Sequence, residues 1–203
     1  MNRKESIFLF DLDGTVTKCE TLPLIAKHFK ITDQISKLTE EAVKGNIPFV
    51  EAFIRRVNIL GKLPVDDVSN LLRGVELYPH VFDFISAHKS NCAVVTGNLR
   101  CWVEDLLKRI GIEFYCSEAL LDGNKVKKIS KILKKENIVE QYKATGRRVV
   151  FIGEGNNDVE AMRFADVSVA CALTHAPANG CLSVADYYVQ DEKSLCRLLN
   201  QLL

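Results

Sequence analysis

Four consecutive apolar residues, Ile7-Phe8-Leu9-Phe10, are followed by Asp11-Leu12-Asp13-Gly14-Thr15. A short unbroken apolar run predicts a strand buried on both faces, as at the centre of a parallel sheet. Gly14 predicts a turn directly after the first acid. From about residue 20 to residue 72 the period changes to that of a helix. Leu22, Leu24, Ile25 and Phe29 mark one amphipathic segment, and Ile35, Leu38, Ala42 and Val43 a second. Asp33 reads as a cap for that second helix and Gly45-Asn46 as its stop. Pro48 and Gly61 bracket a third segment carrying Phe49, Ala52, Phe53, Val57 and Leu60, and Pro64 opens a short fourth. No strand pattern interrupts this block.

Beyond it, strand and helix patterns alternate. Helical spacing covers 79–88, and Cys92-Ala93-Val94-Val95-Thr96 reads as a buried strand ended by Gly97-Asn98. A helix over 99–110 closes at Gly111, and a third strand follows over 112–116. A turn at Asp122-Gly123-Asn124 precedes a basic stretch, 125–136, that reads as a helix. Val149-Val150-Phe151-Ile152 is a fourth strand, ended by Gly153-Glu154-Gly155-Asn156-Asn157-Asp158. Short strands over 167–170 and 187–189, with helices over 159–164 and 194–202, complete the chain. The alternation predicts an α/β fold with a doubly wound, Rossmann-like parallel sheet. Residues 1–16 and 74–203 form its core, and 17–73 a small helical cap inserted after the first strand.

Composition narrows the partners. The 203 residues are 47% apolar with a formal net charge of +1, so no global field draws the chain to nucleic acid or membrane. The apolar run near the N-terminus is too short for a signal peptide or a membrane span. Seven cysteines without regular spacing read as reduced thiols of a cytoplasmic protein, with no disulfide framework and no zinc site. Cys171 and His175 stand four apart, but two ligand types without partners read as packing or loop.

The chemistry collects at strand ends. A parallel sheet brings Asp11 and Asp13, Thr96, and Glu154 and Asp158 to one edge, where ligands bind in open α/β sheets. A carboxylate needs no deprotonation at neutral pH to act as a nucleophile toward a phosphoryl group, and a second acid two positions on can move the proton. The competing reading is that two acids cap a turn and the following helix. The oxygen donors Asp11, Glu154 and Asp158 suit magnesium. Thr96 and Gly97 offer a hydroxyl and backbone N–H groups to the remaining phosphoryl oxygens.

Taken together, Asp11-Leu12-Asp13-Gly14-Thr15, Val95-Thr96-Gly97, a lysine before the fourth strand and Gly153-Glu154-Gly155-Asn156-Asn157-Asp158 resemble the haloacid-dehalogenase-like superfamily. Within it the chain resembles the phosphoserine phosphatases over nearly its whole length. The resemblance implies a magnesium-dependent phosphomonoesterase acting on a small phosphorylated metabolite. Asp11 would form an aspartyl-phosphate, and Asp13 would protonate the leaving alkoxide and then activate water. The Asp11 carboxylate, the Asp13 carbonyl and Glu154 would bind Mg2+, with Asp158 nearby. Glu20 would receive a substrate amine, Arg56 a carboxylate, and Phe49 would wall the pocket beside Gly97 and Asn98. Lys125 is the expected phosphate-binding lysine, chosen over Lys127, Lys128 and Lys131 because Ile129 and Ile132 follow at family-like offsets. The chain departs from the family pattern in Glu154, where aspartate is usual, and in Asn98, where the pattern favours glycine. A phosphotransferase with the same intermediate and a phosphate-binding regulatory protein are the alternative readings.

Overall fold

The structure is a computed structural model that describes residues 5–43 and 46–203. One sheet organises it, with seven strands in the order β4-β3-β2-β1-β5-β6-β7. The strands are β1 (Ser6–Phe10), β2 (Cys92–Leu99), β3 (Glu113–Asp122), β4 (Lys125–Lys131), β5 (Arg148–Gly153), β6 (Val167–Cys171) and β7 (Tyr187–Val189). All neighbours run parallel except β3 and β4, which pair antiparallel. The apolar run that opens the chain is the central strand, flanked by β2 and β5.

Alternation along β1 explains why it has no polar face. Phe8 and Phe10 enter one hydrophobic cluster with Val94, Val150 and Ile152, while Ile7 and Leu9 enter a second with Ala93, Val95, Val149 and Phe151. Side chains of a strand alternate in direction, so a strand covered on both sides must be apolar throughout. The second cluster is completed by α7 (Lys135–Ala144) and α8 (Val159–Phe164). The first is covered by α5 (Pro79–Ala87), α6 (Arg100–Ile110) and α10 (Glu192–Leu202). Phe84 of α5 packs edge-on against Phe8, ring centroids 5.2 Å apart. The short α9 (Asn179–Leu182) lies between β6 and β7 in sequence. Gly111, at φ 77°, ends α6 in the left-handed conformation that favours glycine.

The helical block between β1 and α5 forms α1 (Thr21–His28), α2 (Thr32–Val43), α3 (Phe49–Leu60) and α4 (Val65–Arg73). Asp33 sits in the first turn of α2 rather than before it. The expected Gly45 stop lies outside the described residues. Apolar residues of all four helices, Ile25, Ile35, Phe53, Val57, Leu60, Val68 and Leu72, belong to the same cluster as Phe8 and Phe10. The block therefore packs on the sheet side of the molecule without a separate apolar centre.

One expected element is corrected. The stretch 125–136 is not a helix. Residues 125–131 form β4, the second arm of a hairpin with β3, and the helix α7 starts only at Lys135. The cause is a register shift. Leu121 pairs with Val126 but Leu120 with Lys128, so the hairpin carries a bulge at this point. An extra residue in one strand lets two side chains three apart share a face. Val126 and Ile129 both pack against the first cluster, which mimics helical spacing.

The hairpin tip is a structural partner of the helical block. The Asn124 carbonyl accepts from Val65 N at 2.9 Å and its side-chain Oδ1 from Asp66 N at 3.1 Å, which satisfies the first turn of α4. Val126 N donates to the Gly61 carbonyl at 3.0 Å. A Cβ on Gly61 would lie 2.7 Å from the Val57 carbonyl and 2.9 Å from Val126 Cβ. Gly61→Ala is therefore expected to cost about 1–3 kcal/mol of stability by overpacking this joint. Urea unfolding checks it, and a midpoint unchanged from the parent would refute it.

Candidate active site

Asp11 extends β1 by one residue, its N–H donating to the Ile152 carbonyl of β5 at 2.8 Å. Its side chain is buried at the C-terminal edge of the sheet. Oδ1 accepts from Leu12 N at 2.7 Å and lies 2.6 Å from the Lys135 ammonium. The turn that follows is locked by Val16 N and Thr17 N, both on the Leu12 carbonyl at 3.0 Å.

Asp13 faces a different way. Oδ1 accepts from Thr21 N, the first residue of α1, at 2.8 Å, and Oδ2 accepts from Asn98 Nδ2 at 2.5 Å. Asn98 also donates to Thr21 Oγ1 at 2.9 Å, so the side chain that departs from the family pattern positions this acid. Burial, reinforced by the charge of Glu20, raises the Asp13 carboxyl to about 6, against the hydrogen bonds from Thr21. An acid in that range can both give and take a proton near neutrality.

The third strand end supplies Glu154 and Asp158. Asp158 is bonded at both carboxylate oxygens: Oδ1 by Lys135 Nζ at 2.6 Å, Oδ2 by Glu154 N at 3.1 Å and Gly155 N at 2.9 Å. It folds so tightly over the strand end that a Cβ on Gly153 would lie 2.5 Å from its Oδ2. That is the physical need for glycine before Glu154. Glu154 itself is buried, and its Oε2 has no hydrogen-bond partner among the described residues. Desolvation, with the charges of Asp11 and Asp158, pushes its carboxyl up to about 10. Burial and the Asp158 charge also raise Asp11, opposed by Lys135.

The lysine at this site is Lys135, not Lys125. Lys125 is an exposed residue of the β4 arm, as are Lys127, Lys128 and Lys131. Lys135 opens α7 and is 2% exposed, its ammonium between Asp11 and Asp158. Burial works to lower it, but Asp11 and Asp158 outweigh that and hold it above the ordinary lysine value. The sequence carries a signal for it. Lys135, Ile138, Val139 and Tyr142 follow the i, i+3, i+4, i+7 spacing of one helix face, and that whole face is buried.

Asp11, Asp13 and Glu154 line a cavity of about 610 Å³. Arg56, buried on α3, lines it, with Nε donating to the Ala52 carbonyl at 3.2 Å. Burial pulls its guanidinium below the ordinary value against the charges of Glu20 and Asp13. Glu20, just before α1, Gly97 and Asn98 line it too. Thr96 stands one step back, fully buried, its Oγ1 accepting from Asn98 N at 3.2 Å. Phe49 begins α3, and its side chain lies outside the described residues.

His175, which the sequence pairs with Cys171 and reads as packing or loop, joins the site. It sits in the loop after β6 and faces the cavity, its Nε2 3.0 Å from Glu20 Oε1 and 3.9 Å from Glu154 Oε1. The bond to Glu20 is the main reason its imidazole is raised to about 9. Glu20, Glu154 and His175 bring ligand-type atoms within 4.8 Å of one another.

The buried acids make a pH prediction. A carboxyl raised on folding binds more protons folded than unfolded, so stability falls as pH rises between the two values. For Glu154 the window runs from the ordinary 4.5 to about 10. In chelator the protein is expected to lose up to about 1.4 kcal/mol per pH unit across that window, and added divalent cation should flatten the loss. Melting curves at pH 6 and pH 9, with and without magnesium, check this; equal melting temperatures in chelator would refute it.

Comparison with known proteins agrees with the fold. The chain is 27% identical over 202 residues to a phosphoserine phosphatase of Methanocaldococcus jannaschii, covering 92% of this chain and 96% of that one. It is 28% identical over 182 residues to the enzyme of the same name from Archaeoglobus fulgidus, covering 83% of this chain and 53% of that protein. The chain thus spans about half the length of several curated relatives it matches. A substrate-bound phosphoserine phosphatase complex superposes with a TM-score of 0.82 at 22% identity, over 97% of this chain and 99% of that one. A phospho-aspartyl intermediate analogue of phosphoserine phosphatase gives 0.79 at 21% identity, with the same coverage of both chains. The family model of haloacid dehalogenase-like hydrolases matches residues 6–166, the span from β1 to the start of β6 that carries Asp11, Asp13, Lys135, Glu154 and Asp158, and the chain belongs to that family.

Proposed function

We propose that the chain is a magnesium-dependent phosphomonoesterase of the phosphoserine phosphatase type, acting on a small phosphorylated metabolite that carries a carboxylate. One observation carries the reading. Asp11 stands at the end of the central strand with Oδ1 held by Lys135 and Leu12 N, and Asp13 beside it is fixed by separate partners. The relatives of similar sequence support the substrate type.

Asp11 attacks phosphorus through its carboxylate, the ester P–O bond breaks, and Asp13 gives its proton to the leaving alkoxide. Water then attacks the aspartyl-phosphate, Asp13 takes its proton, and inorganic phosphate leaves with Asp11 restored. Lys135 neutralises Asp11 during the approach of a phosphate dianion. Gly97, near the C-terminal end of β2, offers its N–H to a phosphoryl oxygen.

The residues present fit a divalent cation. A buried carboxylate oxygen without a hydrogen-bond partner among the described residues, Glu154 Oε2, lies among acids that Lys135 alone does not balance. Asp11, the Asp13 carbonyl and Glu154 would hold magnesium, which supplies charge neutralisation of the transferring phosphoryl group. Asp158, engaged at both oxygens, supports the Glu154 loop beside that set. The helices α1–α4 act as the cap, bringing Glu20 and Arg56 to the non-phosphate end of the substrate.

Asp11→Asn should abolish turnover with the fold retained, and acid-quenched labelled substrate should mark Asp11 in the wild type. Label on a serine or histidine would overturn the assignment. Arg56→Ala should lower the ratio of kcat/KM for a phosphorylated carboxylic acid to that for an aryl phosphate. The loss expected is about 2–5 kcal/mol, as for truncating one partner of a buried charge pair. An unchanged ratio would remove Arg56 from substrate recognition.

A further inference from the structure

We infer that Asn98 is a specificity-determining residue: its side-chain oxygen is a neutral acceptor open to the cavity beside Asp13, so the pocket takes a small phosphomonoester whose leaving group carries a hydroxyl or an ammonium on the carbon next to the ester carbon. This deepens the reading above and rests on it, since there Asp13 meets the ester oxygen.

Asn98 is held at three points. Its backbone N donates to Thr96 Oγ1 at 3.2 Å, and Nδ2 donates to Asp13 Oδ2 at 2.5 Å and to Thr21 Oγ1 at 2.9 Å. A side-chain amide nitrogen has two hydrogens, so these bonds use both of them. Among the described residues the side chain makes only these two bonds, and both leave the carbonyl oxygen unused. That oxygen is not sealed in either. The buried side-chain atoms without a partner among the described residues are Trp102 Nε1, Arg147 Nε and Glu154 Oε2. Asn98 is 4% exposed and lines the cavity, so Oδ1 is the polar atom it leaves open to a ligand.

The oxygen stands close to the chemistry. It is roughly 2.2 Å from Nδ2 by covalent geometry, so it lies within about 5 Å of Asp13 Oδ2. An ester oxygen within hydrogen-bond reach of Asp13 brings the first two carbons of the leaving group, and what they carry, into the same space. A donor on the second carbon bonds Oδ1. A bare methylene there strips water from the acceptor and offers nothing in return, which weakens binding. The amide is also fixed before the substrate arrives, between β2 and the first residue of α1, so little side-chain freedom is lost on binding.

The test uses three phosphomonoesters of one skeleton. O-phosphoserine carries an ammonium on the carbon in question, 3-phosphoglycerate a hydroxyl, and 3-phosphonooxypropanoate neither. The wild type should favour at least one of the first two over the third by about 10-fold in kcat/KM, and the favoured compound names the donor. Asn98→Ala loses the bonds to Asp13 and Thr21 with all three compounds alike. Only the donor compound also loses its acceptor, so its ratio to 3-phosphonooxypropanoate should fall by about 3–10-fold. A ratio in Asn98→Ala that stays within about twofold of the wild type overturns the proposal. So does a wild type that prefers neither donor compound, a result that requires no variant to fold. Dissociation constants for the Asp11→Asn protein in magnesium, with and without Asn98→Ala, should show the same preference and the same fall. Equal constants for the three compounds in Asp11→Asn overturn the proposal. Failure of the wild type to hydrolyse an aryl phosphate in magnesium would instead sink the phosphomonoesterase reading, and those constants would still decide the role of Asn98.

Discussion

The contact on which the site depends is Lys135 with two aspartates. Its buried ammonium lies 2.6 Å from Asp11 and 2.6 Å from Asp158. Without it, Asp11, Asp158 and Glu154 would be three carboxylates in one water-poor place, and their mutual repulsion would protonate or separate them. The lysine ties the end of β1 to the end of β5 through the start of α7. Each of those elements is in turn fixed by apolar packing: Ile7 and Leu9, Val149 and Phe151, and Ile138 and Val139 share one cluster. Charge placement and hydrophobic packing thus specify the same geometry.

Asp158 shows how a loop is made rigid for such a site. Its second oxygen collects the N–H groups of Glu154 and Gly155, which turns the strand end and aims Glu154 at the cavity. Asn98 does the corresponding work on the opposite side, joining Asp13 to Thr21 at the start of α1. The helical block is therefore connected to Asp13 through a hydrogen bond as well as through the apolar cluster. Its far end is held by the β3–β4 hairpin, whose Asn124 caps α4.

The sheet's central strands and most helices are legible in the sequence because their residues follow simple periods. The buried run at 7–10, the Gly111 stop and the strand over 149–152 require no knowledge of neighbours. The convergence of Asp11, Asp13, Glu154 and Asp158 is legible too, since the parallel sheet order places β1 and β5 side by side. The β4 arm is not. A bulge lets Val126 and Ile129, three apart in sequence, share a face, and whether that spacing belongs to a helix or a bulged strand depends on pairing with β3. The expectation of Lys125 rests on that false helix, and the lysine that reaches Asp11 opens the true one.

The sequence by itself determined which elements exist and which acids gather at the sheet edge, because local periodicity and strand ends are properties of contiguous residues. Only the tertiary structure decided which lysine reaches Asp11, that Asn98 holds Asp13, and that His175 sits on Glu20. Those pairs are separated by 124, 85 and 155 positions, by subtraction of residue numbers and as the contacts record. Nothing in a local pattern encodes a contact at such separations; it is fixed when the loops close over a packed sheet.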